Sequence, residues 1–353
     1  MNFFIRSAKF ISLIFLKFLE IALSFLPLRT IKYQDVYILL RKPLGIGDIV
    51  MLSPLLKVLN DMKNYREVFL ICEYDRFIDL PNITWQHPRD LNLKRLTNSL
   101  VISPAFSFVN LYYFFMSKYY LGYFLSNSLI SNSYKIHFKF NSNKMHYARK
   151  IKPIIQLFQT KPAVNLTYPN LIENKSQIVL PKNYICISPY SNWPERQYPI
   201  ERFYDLISFA SKSIPVVIVG TDNYHSGIKL SFDKNNVINL INKTNINEVV
   251  SVIANSKIFV GNDSGLAHIA SINNIRSILL FGCVPQSLRL PINEKLQKNI
   301  SSFGSGNLCK HFPCYNGYFK PSCKNSNKYI CLTGIRHEDV KLKLDELLLK
   351  VNY

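Results

Sequence analysis

Asp263 lies in the stretch of this sequence that is best suited to binding an anion. IFV at 258–260 is a short β-branched and aromatic run, GNDSG at 261–265 is typical of a turn, and SILLFG at 277–282 is a second apolar run. A strand that turns sharply into a helix presents free backbone N–H groups and the positive end of the helix dipole. The stretch therefore predicts an anion site, most often one for phosphate, although Asp263 would also serve there as a plain N-cap of the helix that holds His268.

A second candidate is Asp48, which follows a predicted strand at 36–42, VYILLRK. Gly45 and Gly47 let the backbone turn tightly and approach a ligand, and the apolar residues that follow recur at helical spacing. The pattern places Asp48 at or near a helix start, facing a ligand, but it equally fits a plain N-cap with two turn glycines. It is not the fingerprint of an NAD(P)-dependent oxidoreductase, because Val50 stands where the third glycine belongs.

A cation suited to an anionic ligand stands in the segment 184–210, which predicts a strand, a polar proline-containing loop and an amphipathic helix. Ser188 ends the strand, and Arg196 lies in the loop, where a planar guanidinium would bind phosphate well. A surface ion pair of Arg196 with Glu195 or Glu201 is the alternative interpretation.

Four of the seven cysteines cluster near the C-terminus with the spacing C-x4-C-x8-C-x7-C: Cys309, Cys314, Cys323 and Cys331. Four thiolates suit a structural zinc or iron ion, but the cluster contains no C-x2-C pair, so paired or free thiols remain open as well. The other three, Cys72, Cys186 and Cys283, stand singly in apolar runs. An odd count with three buried thiols favours a reducing compartment.

The chain is strongly basic, and the charge is unevenly spread. Its 353 residues are 48% hydrophobic and carry 43 Lys and Arg against 22 Asp and Glu, a formal net charge of +21. This length favours two domains, and the hydrophobic content excludes wholesale disorder. Residues 91–172 contain no Asp or Glu, while Lys139, Lys144, His146 and Arg149 lie there among aromatic residues. A region of one sign attracts nucleic acid, an anionic membrane surface or an acidic substrate, although an AT-biased genome also raises lysine content.

Residues 3–28 form a long apolar segment whose polar residues fall within one narrow arc of a helical wheel. A membrane-spanning helix would bury Lys17 and Glu20 at about 2.5–3.5 kcal/mol each, whereas a helix lying in the interface leaves them in water. We therefore favour an interfacial helix, with a membrane span and a docking helix as the alternatives. The internal charges argue against a signal peptide.

Alternating strands and helices must position these residues. Apolar runs at 67–72 and 100–104 predict further buried strands in the first half of the chain. Residues 184–282 alternate strand and helix and predict a parallel, doubly wound sheet. The segment 161–183, with three prolines, is typical of an interdomain linker, and 337–351 predicts a closing amphipathic helix.

Three motifs, in this order along the chain, resemble glycosyltransferase family 9, the ADP-heptose:lipopolysaccharide heptosyltransferases. They are RKPLGIGDIVMLSPLL at 41–56, SPYSNWPERQYPIERF at 188–203, and GNDSGLAHIAS at 261–271 followed by LLFGCVP at 279–285. The resemblance implies the α/β GT-B fold, two facing Rossmann-like domains with parallel sheets, here with an N-terminal amphipathic helix in addition. The expected division is a membrane-associating helix at 1–32, an acceptor-binding domain at 33–165, a donor domain at 166–335 and a closing helix at 336–353.

The resemblance also implies roles for single residues. Asp48 matches the aspartate proposed as the general base, and Arg196 occupies the place usually held by a lysine that contacts the donor phosphates. Arginine keeps the charge and adds a bidentate fork. The other expected donor contacts are Ser188, Asp263, Ser264, Gly265 and His268, and the expected acceptor contacts are Gly47, Lys139, Lys144, His146 and Arg149.

The implied reaction is an inverting transfer of a heptose or related sugar from a nucleotide-sugar donor to a lipopolysaccharide core or lipid A acceptor, with no cofactor required for catalysis. The expected partners are that donor, an anionic lipid-linked saccharide and a membrane surface, with no nucleic acid and an open oligomeric state. The expected location is cytoplasmic, at the periphery of the cytoplasmic face of the inner membrane.

Two other functions stay open. A four-cysteine metal site occurs in the autotransporter-modifying branch of the family, so a protein heptosyltransferase is one alternative. A non-catalytic basic protein that binds membranes or nucleic acid is the other; it would explain the charge but not the GNDSG turn.

Overall fold

The computed structural model describes residues 35–40, 44–62, 65–104, 117, 119–123, 128–131, 138–139, 145–156, 158, 166–172, 178–222, 236–315 and 322–351. The helix expected at 1–32 lies outside these ranges. Within them, no helix has both the length and the apolar character needed to cross a membrane.

The chain divides into two compact α/β units. The first takes the described residues of Met1–Tyr74, Leu80–Asn141 and Ala148–Asn165, and the second takes those of Asp75–Asp79, Ser142–Tyr147 and Leu166–Tyr353. Two short segments from the first half of the sequence therefore belong to the second unit.

The first unit is built on a seven-stranded sheet. Its strands are β1 (Asp35–Leu39), β2 (Glu67–Ile71), β3 (Ile83–Gln86), β4 (Leu100–Ser103), β5 (Tyr119–Tyr123), β6 (Ser128–Ser131) and β7 (Phe138–Lys139). The order is β3-β2-β1-β4-β5-β6-β7, parallel as far as β5, with β6 and β7 joined antiparallel. Its described helices are α1 (Ile46–Asp61), α2 (Leu93–Leu96) and α3 (Lys152–Gln156).

The second unit is built on a six-stranded sheet in which every pairing is parallel. Its strands are β8 (Ile185–Ser188), β9 (Val216–Ile218), β10 (Val237–Asn239), β11 (Ile258–Asn262), β12 (Arg276–Leu280) and β13 (Ile300–Phe303). Its described helices are α4 (Ile200–Ala210), α5 (Ile246–Ala254), α6 (Gly265–Ile272), α7 (Glu294–Gln297), α8 (Ile330–Thr333) and α9 (His337–Leu349).

The strand order of the second sheet, β10-β9-β8-β11-β12-β13, reverses between β8 and β11. In such a doubly wound sheet, ligands bind outside the carboxyl ends of the strands at this reversal. Ser188 and Asn262 end these two strands, so the fold places both next to that position.

Hydrophobic burial holds the second unit together. The apolar faces of α4 and α9 pack into one core cluster with the central strands, and Phe203 and Leu344 are both fully buried in it. The predicted closing helix is confirmed, because its four expected apolar positions are buried in the structure: Val340, Leu344, Leu347 and Leu348.

Candidate functional site

The turn after β11 carries Asp263, and the structure decides between its two interpretations. The side chain of Ser264, not that of Asp263, caps α6: its Oγ accepts a hydrogen bond from the Ala267 N–H at 3.4 Å. The alternative in which Asp263 is only the N-cap is therefore wrong. Asp263 precedes the N-cap residue and is 2% exposed. Because its carboxylate does not cap the helix, it can contact other side chains.

Those side chains are Arg196 and His268. Arg196 Nε lies 3.5 Å from Asp263 Oδ2, and His268 Nε2 lies 3.8 Å from Asp263 Oδ1. Burial by itself raises the pKa of the Asp263 carboxyl, but the positive charges of Arg196, Arg289 and His268 outweigh it and hold that pKa below its usual value. Asp263 is thus a buried anion in a cationic surrounding.

Arg196 is held in place by aromatic rings. Its guanidinium carbon lies 4.3 Å from the centre of the Trp193 ring and 5.4 Å from that of Tyr315, and these two rings are themselves 5.5 Å apart. Such stacking holds the flat face of the guanidinium against the rings, so that its N–H groups point outward in its own plane. Arg196 therefore points inward to Asp263 and is a suitable anion ligand.

Asn262 fastens the loop that carries Arg196. Its Oδ1 accepts the Tyr198 N–H and its Nδ2 donates to the Pro189 carbonyl, both at 2.9 Å, and Asn262 is fully buried. Close backbone packing adds to this attachment, because a Cβ placed on Gly282 would lie only 2.2 Å from the Glu195 carbonyl oxygen. The loop is thereby fixed to the ends of β11 and β12.

We predict that Asn262→Ala lowers the free energy of unfolding by about 2–4 kcal/mol, because it leaves a buried donor and a buried acceptor unpaired. Urea denaturation followed by circular dichroism measures the change. Asn299→Ala, which removes an exposed hydrogen bond to Asn274, is the matched control and should change stability by less than about 0.5 kcal/mol. Equal effects of the two variants would contradict the anchoring role.

The lowered pKa of the Asp263 carboxyl predicts how the free energy of unfolding depends on pH. Its pKa is lower in the folded state than in the unfolded chain, so the stabilisation is complete above the ordinary carboxyl pKa and is lost as the pH falls through the lower, folded value. Unfolding free energy should therefore fall more steeply below about pH 4 in the wild type than in Asp263→Asn. Denaturation at several pH values measures both slopes, and Asp61→Asn, at an exposed ion pair with Lys57, is the comparison. Equal slopes for the wild type and Asp263→Asn would contradict this prediction.

The other predicted donor residues also lie at this reversal. Ser188 is buried at the end of β8, and a Cβ on Gly261 of the neighbouring strand would lie 3.2 Å from its carbonyl oxygen. Gly265 begins α6, so its N–H is one of the helix N-terminal donors that lack an intrahelical acceptor. The structure therefore brings Ser188, Arg196, Asp263, Ser264, Gly265 and His268 together.

Asp48 lies in the first unit, in the first turn of α1. Its Oδ2 accepts the Gly45 N–H at 2.8 Å, so it closes the start of the helix from within. Asp48 and Gly47 are both half-buried, and this turn follows β1, the strand at which the order of the first sheet reverses. The N-cap of α1 is therefore Gly45 and not Asp48, which contacts the N-cap amide from the third position of the helix; this contact is compatible with a second role for the same carboxylate.

The residues expected to bind an acceptor are spread over both units. His146 is buried in the second unit, where a ring nitrogen contacts the Leu290 carbonyl, whereas Arg149 is exposed in the first unit. Lys144 and the side chain of Lys139 lie outside what the structure describes.

All four clustered cysteines line one cavity in the second unit, together with Cys283 and Glu195. A hydrogen bond with Cys314 and burial raise the pKa of Cys283, and the same hydrogen bond lowers the pKa of Cys314. Thiols suit soft metals, but among the described residues no three His, Cys, Asp or Glu side chains are placed to hold a metal ion. The described geometry therefore does not form a metal site, and we derive no step through a metal.

Several residues of the site gave no sequence signal of their own. Asn262 lies within the GNDSG turn, where it resembles an ordinary turn residue, and Arg289 and Tyr315 lie outside the three motifs. The local signal for Trp193 is its position next to Pro194, three residues before Arg196. These residues meet only because the strand ends of one parallel sheet lie side by side.

Comparison with known proteins identifies the family that this chain resembles. A family model described as glycosyltransferase family 9 (heptosyltransferase) matches residues 148–316. Lipooligosaccharide heptosyltransferase 2 of Haemophilus influenzae is 35% identical over 113 residues, which are 32% of this chain and 30% of that protein. The aligned segment thus spans less than a third of this curated relative.

Solved structures agree on the fold. The ADP-heptose lipopolysaccharide heptosyltransferase II of E. coli has a TM-score of 0.64 at 15% identity and covers 91% of this chain and 100% of its own. The dodecameric iron-containing heptosyltransferase TibC of enterotoxigenic E. coli, solved with ADP-D-β-D-heptose, has a TM-score of 0.62 at 14% identity and covers 92% and 78%. The resemblance to the family is confirmed, and so is the predicted fold class, with two α/β domains built on mainly parallel sheets.

Proposed function

Because this chain matches glycosyltransferase family 9 (heptosyltransferase) over residues 148–316, we propose that it transfers a heptose or related sugar from a nucleotide-sugar donor, such as ADP-heptose, to a lipopolysaccharide core or lipid A acceptor. The observation that carries the proposal is the ion pair of half-buried Arg196 with buried Asp263 at the strand reversal of the second unit. The amides that begin α6 and the Arg196 guanidinium form a site suited to a diphosphate.

The proposed reaction is a single displacement with inversion. The acceptor hydroxyl oxygen attacks the anomeric carbon of the donor sugar, the bond from that carbon to the diphosphate oxygen breaks, and Asp48 takes the hydroxyl proton. Arg196 and the amides of Ser264 and Gly265 stabilise the negative charge that grows on the leaving diphosphate, while the Asp263 amide already donates to the Leu280 carbonyl. Asp48 already binds the Gly45 N–H and sits at a helix N-terminus, which suits a base that acts late, after the leaving group has begun to depart.

The charge of the chain supports an anionic acceptor. Residues 91–172 carry no carboxylate, and a phosphorylated, membrane-attached lipopolysaccharide core would supply the negative charge that this region attracts. We place the protein at the cytoplasmic face of the inner membrane, held there by the segment 3–28. Gly47, Lys139, Lys144, His146 and Arg149 remain the proposed acceptor contacts.

A transfer assay tests the proposal. The purified full chain is incubated with ADP-heptose and a lipooligosaccharide that lacks its outer heptoses. ADP release and a gain of one heptose per acceptor in the mass spectrum are expected, with omission of the acceptor as the control. If neither ADP nor a heavier acceptor forms with ADP-heptose or with other nucleotide sugars, the proposed activity is wrong.

A protein acceptor is the second candidate. The four cysteines at 309–331 line a single cavity, which agrees with the four-cysteine cluster of the autotransporter-modifying branch that the sequence resembles. Replacing the lipooligosaccharide with a bacterial autotransporter passenger domain in the same assay separates the two. Heptose on the polypeptide alone would support the protein acceptor and overturn the lipopolysaccharide one.

A further inference from the structure

Arg289 is a buried cation without a direct counter-charge. It is 6% exposed, and among the described residues no carboxylate lies within salt-bridge distance of its guanidinium. Its guanidinium carbon instead lies 5.0 Å from the centre of the Tyr147 ring and 5.4 Å from that of Tyr315. Because an unpaired buried charge is costly, this position calls for an anion that the protein itself does not provide.

Tyr315 connects Arg289 with the donor site. Arg196 also lies 5.4 Å from the centre of this ring, so the two guanidinium groups contact one aromatic side chain. Both positive charges act on Asp263 and lower its pKa. Two arginines therefore surround a single carboxylate, which leaves positive charge to spare before the partial charge of the α6 N-terminus is counted.

The backbone fixes Arg289 without using its side chain. Arg289 follows the short helical turn Gln286–Leu288, and its N–H donates to the Gln286 carbonyl at 2.9 Å. Gln286 is held in turn, since its Oε1 accepts the Ser302 hydroxyl of β13 at 2.7 Å. The turn follows β12, the neighbour of β11, so the guanidinium is presented beside the anion site and remains available to a ligand.

We propose that Arg289 is a second cationic contact for the donor diphosphate, so that Arg196 and Arg289 together bind its two phosphate groups. A nucleoside diphosphate at neutral pH carries more than one negative charge, which a single arginine already paired with Asp263 does not neutralise. The inference rests on the proposed function and adds a residue to its donor site.

The test compares ADP with adenosine, which has the same base and sugar but no phosphate. Binding of both to the full chain is measured for the wild type, Arg289→Met and Arg289→Lys, by calorimetry for ADP and by NMR saturation transfer for adenosine. Loss of a charge-assisted contact should weaken ADP binding about 10- to 100-fold in Arg289→Met and less in Arg289→Lys, with adenosine binding unchanged.

Arg202→Met is the matched control, because Arg202 also stacks on a tyrosine of the second unit, with its guanidinium carbon 5.4 Å from the Tyr198 ring centre. Thermal unfolding measures whether each variant is folded. If Arg289→Met does not fold, the ADP affinity of Arg289→Lys decides the result. Unchanged ADP affinity, or an equal loss for ADP and adenosine, would overturn the role of Arg289 while leaving the donor proposal intact. Failure of the wild type to bind ADP would instead count against the adenine-nucleotide donor itself.

Discussion

Asp48→Asn should slow sugar transfer about 100- to 10,000-fold while leaving donor affinity unchanged, because an amide cannot take the proton of the acceptor hydroxyl. The substitution suits the structure: the asparagine oxygen can still accept the Gly45 N–H, so α1 keeps its start. The measurement is the rate of ADP release at saturating donor and acceptor, together with the dissociation constant for ADP.

Asp61→Asn is the matched control for this variant. Asp61 ends the same helix and forms an ion pair with Lys57, with a side chain that is 58% exposed, so its loss should not affect transfer. Transfer by Asp48→Asn at the wild-type rate would show that Asp48 only starts the helix.

Arg196→Gln should weaken ADP binding about 10- to 100-fold and also slow transfer, because the guanidinium binds the diphosphate and stabilises its departure. Stability should fall as well, by about 1–3 kcal/mol, since Asp263 stays buried with one cation fewer. Arg196→Lys keeps the charge but loses the stacked planar fork, so its ADP affinity should lie between those of the wild type and Arg196→Gln.

Arg276→Gln is the comparison for both effects. Arg276 begins β12 and is exposed, at the end of the sheet opposite the proposed site. The Arg276→Gln substitution therefore removes the same charge from the same sheet, but away from that site. Calorimetry with ADP and urea denaturation measure the two effects separately. An ADP affinity in Arg196→Gln equal to that of Arg276→Gln would exclude Arg196 from the donor site.

Many strands and helices of the second unit were predictable, because the sequence patterns that specify them lie within single short segments. IFV at 258–260 and the apolar run at 277–282 form β11 and β12, and α5 begins after Asn245, whose side chain forms a capping box with Glu248. The hydrophobic periods of strands and helices, and the residues that cap a helix, extend over only a few positions. A short stretch of sequence therefore contains the complete signal.

The sequence by itself determined the strand-turn-helix at 258–272, the position of Arg196 in a loop after β8 and the start of a helix near Asp48. Only the tertiary structure decided that Ser264, not Asp263, caps α6, that Asn262 holds the 189–198 loop by two hydrogen bonds, and that Arg289 stacks on the same Tyr315 ring as Arg196. The physical reason is strand order: in a parallel sheet, distant segments become neighbours wherever their strands pair. No spacing in the sequence records that β8 lies beside β11, and that pairing is what places the Arg196 loop against Asp263.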